Sequence, residues 1–263
     1  MVAKGGSRER GMKHHERRAL EAEHHPEAIR RRLSAPQRAE TVPDAILGGI
    51  DGCVTTFAVV SGAFGAGFSA TVALVLGFAN LLADGFSMAV SNYESIQAQR
   101  EHIQGVRERE HYHIDEVPEG EREEIREIFR RKGLSGEALE QVVDAITDDR
   151  EVWVDTMLTE EHGLQKVTLS PLRSALTTFA AFLVVGAMPL LPYTIPALTT
   201  TQQFLASLAI AALMFFAIGM LKSLVYGQRM VQSGVRTLLM GGAAAGLAFL
   251  TGLLAHALFG VAP

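Results

Sequence analysis

Residues 48–67 read GGIDGCVTTFAVVSGAFGAG, a run apolar enough to enter a membrane that nevertheless carries a carboxylate, Asp51. A charge in hydrocarbon is expensive and is rarely kept without a task. The surrounding sequence repeats the pattern. From Gly52 through Tyr93 the only charged residue is Asp84, and from Ser174 through Leu221 there is none. From Thr237 to Pro263 the only ionisable side chain is His256. A helix needs about 20 residues to cross about 30 Å of hydrocarbon. Cut at their glycines and prolines, these runs predict five membrane helices over 44–66, 69–93, 171–191, 202–226 and 235–258. The fold class is an all-α membrane protein.

Charge predicts the orientation. Of the 24 Lys and Arg residues, ten lie in 1–43, eleven in 100–173, and the remaining three are Lys222, Arg229 and Arg236. Five crossings put all of them on one side, which the positive-inside rule makes the cytoplasm. The N-terminus is then inside and the short tail 259–263 outside. Residues 1–43 hold no apolar core of a secretory signal and read as a basic, disordered cytoplasmic tail attracted to anionic lipid. Its pairs His14–His15 and His24–His25 are either incidental or metal-scavenging. Cys53 is the sole cysteine, so no intramolecular disulfide forms.

Between the second and third membrane helices lies a polar insert, 94–168, with 19 of the 29 Asp and Glu residues falling between Glu101 and Glu161. EREEIREIFRRKG (121–133) reads as an amphipathic helix with Ile125, Ile128 and Phe129 inward and Gly133 as its stop. SGEALEQVVDAI (135–146) carries Leu139, Val142, Val143 and Ile146 on one stripe. DDREVWVDTMLTEEHGL (148–164) starts on an Asp cap, ends at Gly163, and carries Trp153 into the core. The second membrane helix is expected to run on into the insert. Glu110 and His113 are three apart, as are Glu121 and Glu124, while Met157 and Glu161 are four apart, so each pair shares a helix face. Carboxylate, imidazole and thioether suit Fe(II), Mn(II), Co(II) or Zn(II) better than Ca(II) or Mg(II). The plainer alternative is an acidic helix whose Glu residues are merely solvated.

Within the membrane, Asp44 starts the first helix and Asp51 follows seven residues on, about 10 Å inside the boundary. The second helix carries Asn80, Asp84 and Met88 four apart, one polar stripe reaching depths of about 21, 15 and 9 Å. Asp51 is then level with the Met88 thioether, and that donor pair fits a transition metal. The alternative for Asp51 is a cap, or a buried pair with Arg173 or Lys222.

In order along the chain, DGCVTTFAVVSG (51–62), ANLLADGFSMAVSNYES (79–95), EREEIREIFRRKG (121–133) and VWVDTMLTEEHGL (152–164) resemble the vacuolar iron transporter family, in particular a bacterial member of the divalent iron and manganese exporters. The resemblance covers 44–258 and implies a homodimer that exports Fe(II) from the cytoplasm in exchange for protons. It implies membrane segments 44–93 and 169–258 around a cytoplasmic metal-binding domain, 94–168, in a bacterial inner membrane. Insert ligands then fall on Glu110, His113, Glu121, Glu124, Met157 and Glu161, and the membrane path on Asp44, Asp51, Asn80 and Met88. The chain departs from the eukaryotic pattern at three places. His113 and Asn80 stand where that pattern has Glu, and Leu158 follows Met157 where a second Met is common. Asp84, one turn from Asn80, supplies a carboxylate in its place. Gly242 and Gly246 in the fifth helix have small-xxx-small spacing, for a dimer seam or for packing within one subunit.

The expected substrate is Fe(II), with Mn(II), Co(II) or Zn(II) as others. No prosthetic group, enzymatic activity or nucleic-acid partner is expected. Two other classes compete: a membrane-anchored ferroxidase, suggested by the single Glu110-x-x-His113 motif, and a metal sensor. Neither needs Asp51 and Asp84 inside the membrane.

Overall fold

The computed structural model of the chain describes residues 17–34, 41–227 and 229–260. The chain divides into two compact units, 1–39 and 40–263. The first contains a helical segment over 17–23, a turn at His24 and His25, and α1 (Pro26–Ser34). His14 and His15, and the last three residues of the tail, lie outside the described residues.

The second unit is helical throughout its described length apart from its turns and an irregular connection over 163–170. Its helices are α2 (Val42–Gly65), α3 (Ala70–Glu116), α4 (Pro118–Arg131), α5 (Gly136–Thr147), α6 (Arg150–Glu160), α7 (Pro171–Ala187), α8 (Thr200–Tyr226) and α9 (Met230–Phe259). Five are long and apolar enough to cross a membrane: α2, α3, α7 with the 3-10 turns that extend it, α8 and α9. The protein is therefore an all-α membrane protein with five candidate spans, and the sequence expectation for the fold class holds.

The boundaries carry information of their own. α3 is one unbroken helix of 47 residues, joining the second span to the first helix of the insert. α7 ends at Ala187 and continues as 3-10 turns over Met188–Thr194, with Pro189 and Pro192 inside them. Proline lacks the N–H that an α-helix needs, so the regular helix stops short of the expected 191. α8 starts on a capping box, in which Thr199 and Gln202 satisfy each other's backbone N–H groups. That fixes its start at Thr200.

α2 is the hub. It packs against α3, α7, α8 and α9, and half of its apolar window is buried, more than in any other span. Its approach to α7 is possible only because of glycine. A Cβ on Gly48 would lie 2.3 Å from the Thr178 carbonyl oxygen, and one on Gly52 2.4 Å from that of Phe182. α9 reaches α2 in the same way, since a Cβ on Gly252 would fall 2.2 Å from the Gly62 carbonyl oxygen. Around these seams lies the membrane core of Cys53, Phe57, Val60, Leu81, Phe182, Leu190 and Phe215. A Cβ on Gly242 or Gly246 would meet no atom within 4 Å, so these two glycines do not serve packing against the described residues of this chain.

The insert has a separate core of Val106, Ile114, Ile125, Leu139, Val143, Trp153, Val154, Met157 and Leu158, with Ile128, Phe129 and Ile146 packed against it. The Asp149 side chain caps α6 by accepting the N–H groups of Glu151 and Val152. Gly133 and Gly163 take positive φ, +98° and +65°, where a side chain would be strained. Ion pairs tie the outer faces together: Arg107 to Glu151 and Asp155, Arg122 to Asp144, Arg126 to Glu140, and Arg150 to Asp115.

Two substitutions separate the glycine contacts from mere composition. Gly52→Val should lower the thermal midpoint of the detergent-solubilised protein sharply, because the clash is with backbone and overpacking costs about 1–3 kcal/mol or more. Gly105→Ala, in an exposed part of α3 where a Cβ meets nothing within 4 Å, should leave the midpoint unchanged or raise it, the gain in helix propensity being up to about 1 kcal/mol. Fluorescence-detected size exclusion after a heat series reads both.

Candidate metal centre and membrane path

Three helices supply the insert cluster. The end of α3 carries Glu110 and His113, and the chain then turns at a single residue, Val117, before α4 begins at Pro118. The Val117 N–H donates to His113 O, and the Glu121 N–H donates back to Val117 O at 3.2 Å. That tight corner folds the first turn of α4 onto the last turn of α3. α6 arrives from the other side, with Glu161 as its C-cap and His162 just beyond.

His113 Nδ1 lies 3.2 Å from Glu121 Oε1. His162 Nε2 lies 3.0 Å from Glu110 Oε1 and 3.6 Å from Glu161 Oε2. Glu124 lies close enough to Glu161 for the two carboxyls to interact. Ligand atoms of Glu110, His113 and Glu121 fall within 4.8 Å of one another, and so do those of Glu110, Glu161 and His162. Glu110 belongs to both sets and is only 1 % exposed. Glu121 is buried as well, and its Oε2 has no hydrogen-bond partner. Met157 is fully buried in the insert core, one turn ahead of Glu161.

Crowded carboxylates resist ionisation. Burial, then the neighbouring Glu124 and Glu110, push the Glu121 carboxyl from 4.5 up to about 7, with His113 opposing. Glu124 is raised by burial first, then by Glu161 and Glu110. A cluster of this kind holds protons when empty and can exchange them for a divalent cation.

Of the six residues expected in the insert, five come together here, and Met157 lies in the adjoining core. Sequence reasoning missed His162. Helical spacing cannot find it, because it sits beyond the end of α6; its only signal was a histidine between Glu161 and a terminating glycine.

In the membrane, Asp44 stands in the first turn of α2. Its Oδ1 accepts from Asn92 Nδ2 at 3.0 Å, and the same amide donates to Thr178 Oγ1 at 2.8 Å. Asp44 Oδ2 is buried without a partner, as is Asn80 Nδ2. Asp51, half-buried, lies within electrostatic range of Asp84. Met88 is half-buried and packs against the membrane core. Among the described residues, no ion pair joins Asp51 or Asp84 to Arg173 or Lys222. Asn92 was also missed, although it is the next member of the series Asn80, Asp84, Met88.

A family model described as the VIT family matches residues 42–253, a span that includes both the insert cluster and every intramembrane carboxylate. The chain belongs to the VIT family. It is 32% identical over 230 residues to vacuolar iron transporter 1 of Oryza sativa subsp. japonica, covering 86% of this chain and 87% of that protein. Vacuolar iron transporter 1 of Arabidopsis thaliana is 32% identical over 212 residues, with 80% and 84% covered. The vacuolar iron transporter of Toxoplasma gondii is 30% identical over 231 residues, with 84% and 76% covered. Family membership supports iron or related metal transport as the protein's business.

The raised Glu121 has a consequence for stability. Its folded value lies above its unfolded one, so the stability it lends is present below about pH 4.5 and is lost as pH rises toward about 7. Above pH 7 the metal-free fold carries an unfavourable buried charge. Glu121→Gln should therefore raise the thermal midpoint of the metal-free protein at pH 8, and change it little at pH 4.5. The fluorescence of Trp153, buried in the insert core, follows the melt.

Proposed function

We propose that the protein is a proton-coupled transporter that carries Fe(II), and other divalent transition metals such as Mn(II), Co(II) or Zn(II), out of the cytoplasm. The observation that supports this reading best is the continuity of α3. One helix carries Asn80, Asp84, Met88 and Asn92 within its apolar half and Glu110 and His113 at its polar end. At 1.5 Å per residue, Met88 and Glu110 are about 33 Å apart along one rod. A loading cluster and a membrane path on the same element suit a carrier, not an anchor.

In this reading the insert is cytoplasmic, as the distribution of Lys and Arg favours. It gathers metal on Glu110, His113, Glu121, Glu124 and Glu161, with Met157 as a soft neighbour. Metal then passes Asp44, held by Asn92, to Asp51 and Met88, and on to Asp84 and Asn80. Each carboxylate that releases a cation takes up a proton, because a bare charge in hydrocarbon is costly. That exchange couples metal flux to a proton gradient. The protein works as a homodimer, in which the bare Gly242 and Gly246 face is free to meet another copy.

A second reading, iron oxidation at the insert, gains one observation. His162 brings the cluster to four carboxylates and two imidazoles, the donor count of di-iron carboxylate proteins. The acids inside the membrane weigh against it, since oxidation alone has no use for them. Oxygen consumption on adding Fe(II) anaerobically loaded protein to air-saturated buffer separates the two readings.

Flux assays in proteoliposomes with an imposed pH gradient test the leading one. Asp51→Asn keeps the side chain's shape and deletes its charge, and should reduce Fe(II) flux to the level of protein-free vesicles. Asp84→Asn should impair flux nearly as much, and adding Asn80→Asp should recover part of it. Wild-type flux in Asp51→Asn, with normal elution from size exclusion, overturns the path.

A further inference from the structure

The insert cluster contains a donor that the reading above does not use. We propose that His162 is itself a metal ligand, completing with Glu110 and Glu161 a donor set beside that of Glu110, His113 and Glu121, and that it biases the insert toward metals that favour imidazole. The inference rests on the metal-gathering role given to the insert.

Three observations carry it. First, His162 Nε2 is placed where carboxylate oxygens from two elements converge, at 3.0 Å from Glu110 and 3.6 Å from Glu161. Its ligand atom and theirs lie within 4.8 Å of one another, so a small ion entering between them reaches all three after modest adjustment. Second, the cluster is short of positive charge. Glu110 is 1 % exposed, and Glu121 Oε2 is buried with no hydrogen-bond partner. A buried carboxylate oxygen left unpaired carries a desolvation cost that a cation removes. Third, the imidazole is presented by an ordered turn. The His162 N–H donates to Met157 O, Gly163 takes φ +65°, and the Leu164 N–H donates to Leu158 O at 2.8 Å. Leu164 packs against the insert core, which pins the far side of the turn.

Exposure gives the donor a place in the sequence of events. The His162 side chain is 26 % exposed while that of Glu110 is 2 % exposed. A hydrated ion therefore meets His162, together with the more exposed Glu161, before it meets Glu110. Chemistry gives it a preference. Carboxylates bind Mn(II) well, whereas each added imidazole nitrogen favours Fe(II), Co(II) and Zn(II) over Mn(II), in line with the general affinity order for divalent metals. With His113 already present, His162 places one nitrogen donor in each set.

The competing role is a hydrogen bond that merely orients Glu110, and a pair of variants distinguishes them. His162→Gln keeps a side-chain donor able to reach Glu110 but offers no ligand nitrogen. His162→Ala removes both. Full-length protein in detergent is titrated with Co(II), Zn(II) and Mn(II), read by calorimetry and by quenching of Trp153, the chain's only tryptophan, one turn from Met157. X-ray absorption on the Zn(II)-loaded samples counts imidazole scatterers. As a ligand, His162 requires both variants to lose about tenfold or more in Co(II) and Zn(II) affinity, with Mn(II) much less affected and the imidazole count reduced. Wild-type affinity in His162→Gln overturns the proposal in favour of the orienting bond. An equal loss for all three metals, or no loss in His162→Ala, overturns it as well. Failure of the unaltered protein to bind any of the three overturns the metal-gathering role of the insert itself.

Discussion

The contact between α2 and α7 at Gly48 and Gly52 fixes the rest of the membrane half. Only the glycine face of α2 can lie against the carbonyls of Thr178 and Phe182, because any side chain there would overlap backbone. The rotation of α2 about its own axis is thereby locked. Asp44 lies one turn before Gly48 and is brought to Asn92 and Thr178. Asp51, next to Gly52, is brought within electrostatic range of Asp84 on α3. Small residues at a helix seam thus aim charged ones nearby, an indirect use of the close packing that membrane helices favour.

The insert solves a different problem with the same kind of residue. Its apolar core is built from ordinary Leu, Ile and Val packing, but at one end it buries Glu110 and Glu121 among further carboxylates. Such crowding weakens the empty fold at neutral pH, as the raised Glu121 and Glu124 record. The surface ion pairs around Arg107, Arg126 and Arg150 are exposed and individually worth little. They hold the helices in register without relieving the cluster. Under the proposed metal-gathering role, stability and binding are set against each other: what makes the empty site uncomfortable is what would make it receptive to a cation.

Much of this was legible in the sequence, and what was not has physical reasons. Five spans followed from the charge-free runs, and the insert helices from Gly133, Gly163, the Asp149 cap and the stripes at Ile125, Leu139 and Val143. Residues related by helical spacing, such as Glu110 with His113 and Glu121 with Glu124, were visible because periodicity converts sequence distance into a shared face. His162 was not, since it acts from a turn whose path depends on Gly163 and on Leu164 finding the core. Asn92 was hidden for the opposite reason. It continues a visible stripe, but its partner Asp44 is 48 residues away, and only the packing of α2 against α3 brings the two together. The early stop of α7 shows local chemistry overriding a hydropathy pattern, with Pro189 ending a run that remains apolar.

The unbroken course of α3 makes the protein a lever. No proline interrupts its 47 residues, so the span and the insert share one stiff shaft. With Glu110 about 33 Å from Met88, a tilt of about 5° at the membrane end sweeps the far end through about 3 Å, the scale of a metal–ligand bond. In the proposed carrier, drawing α4 and α6 against the tip of that shaft would be a mechanical act felt at Asp84, without any relay of side chains between.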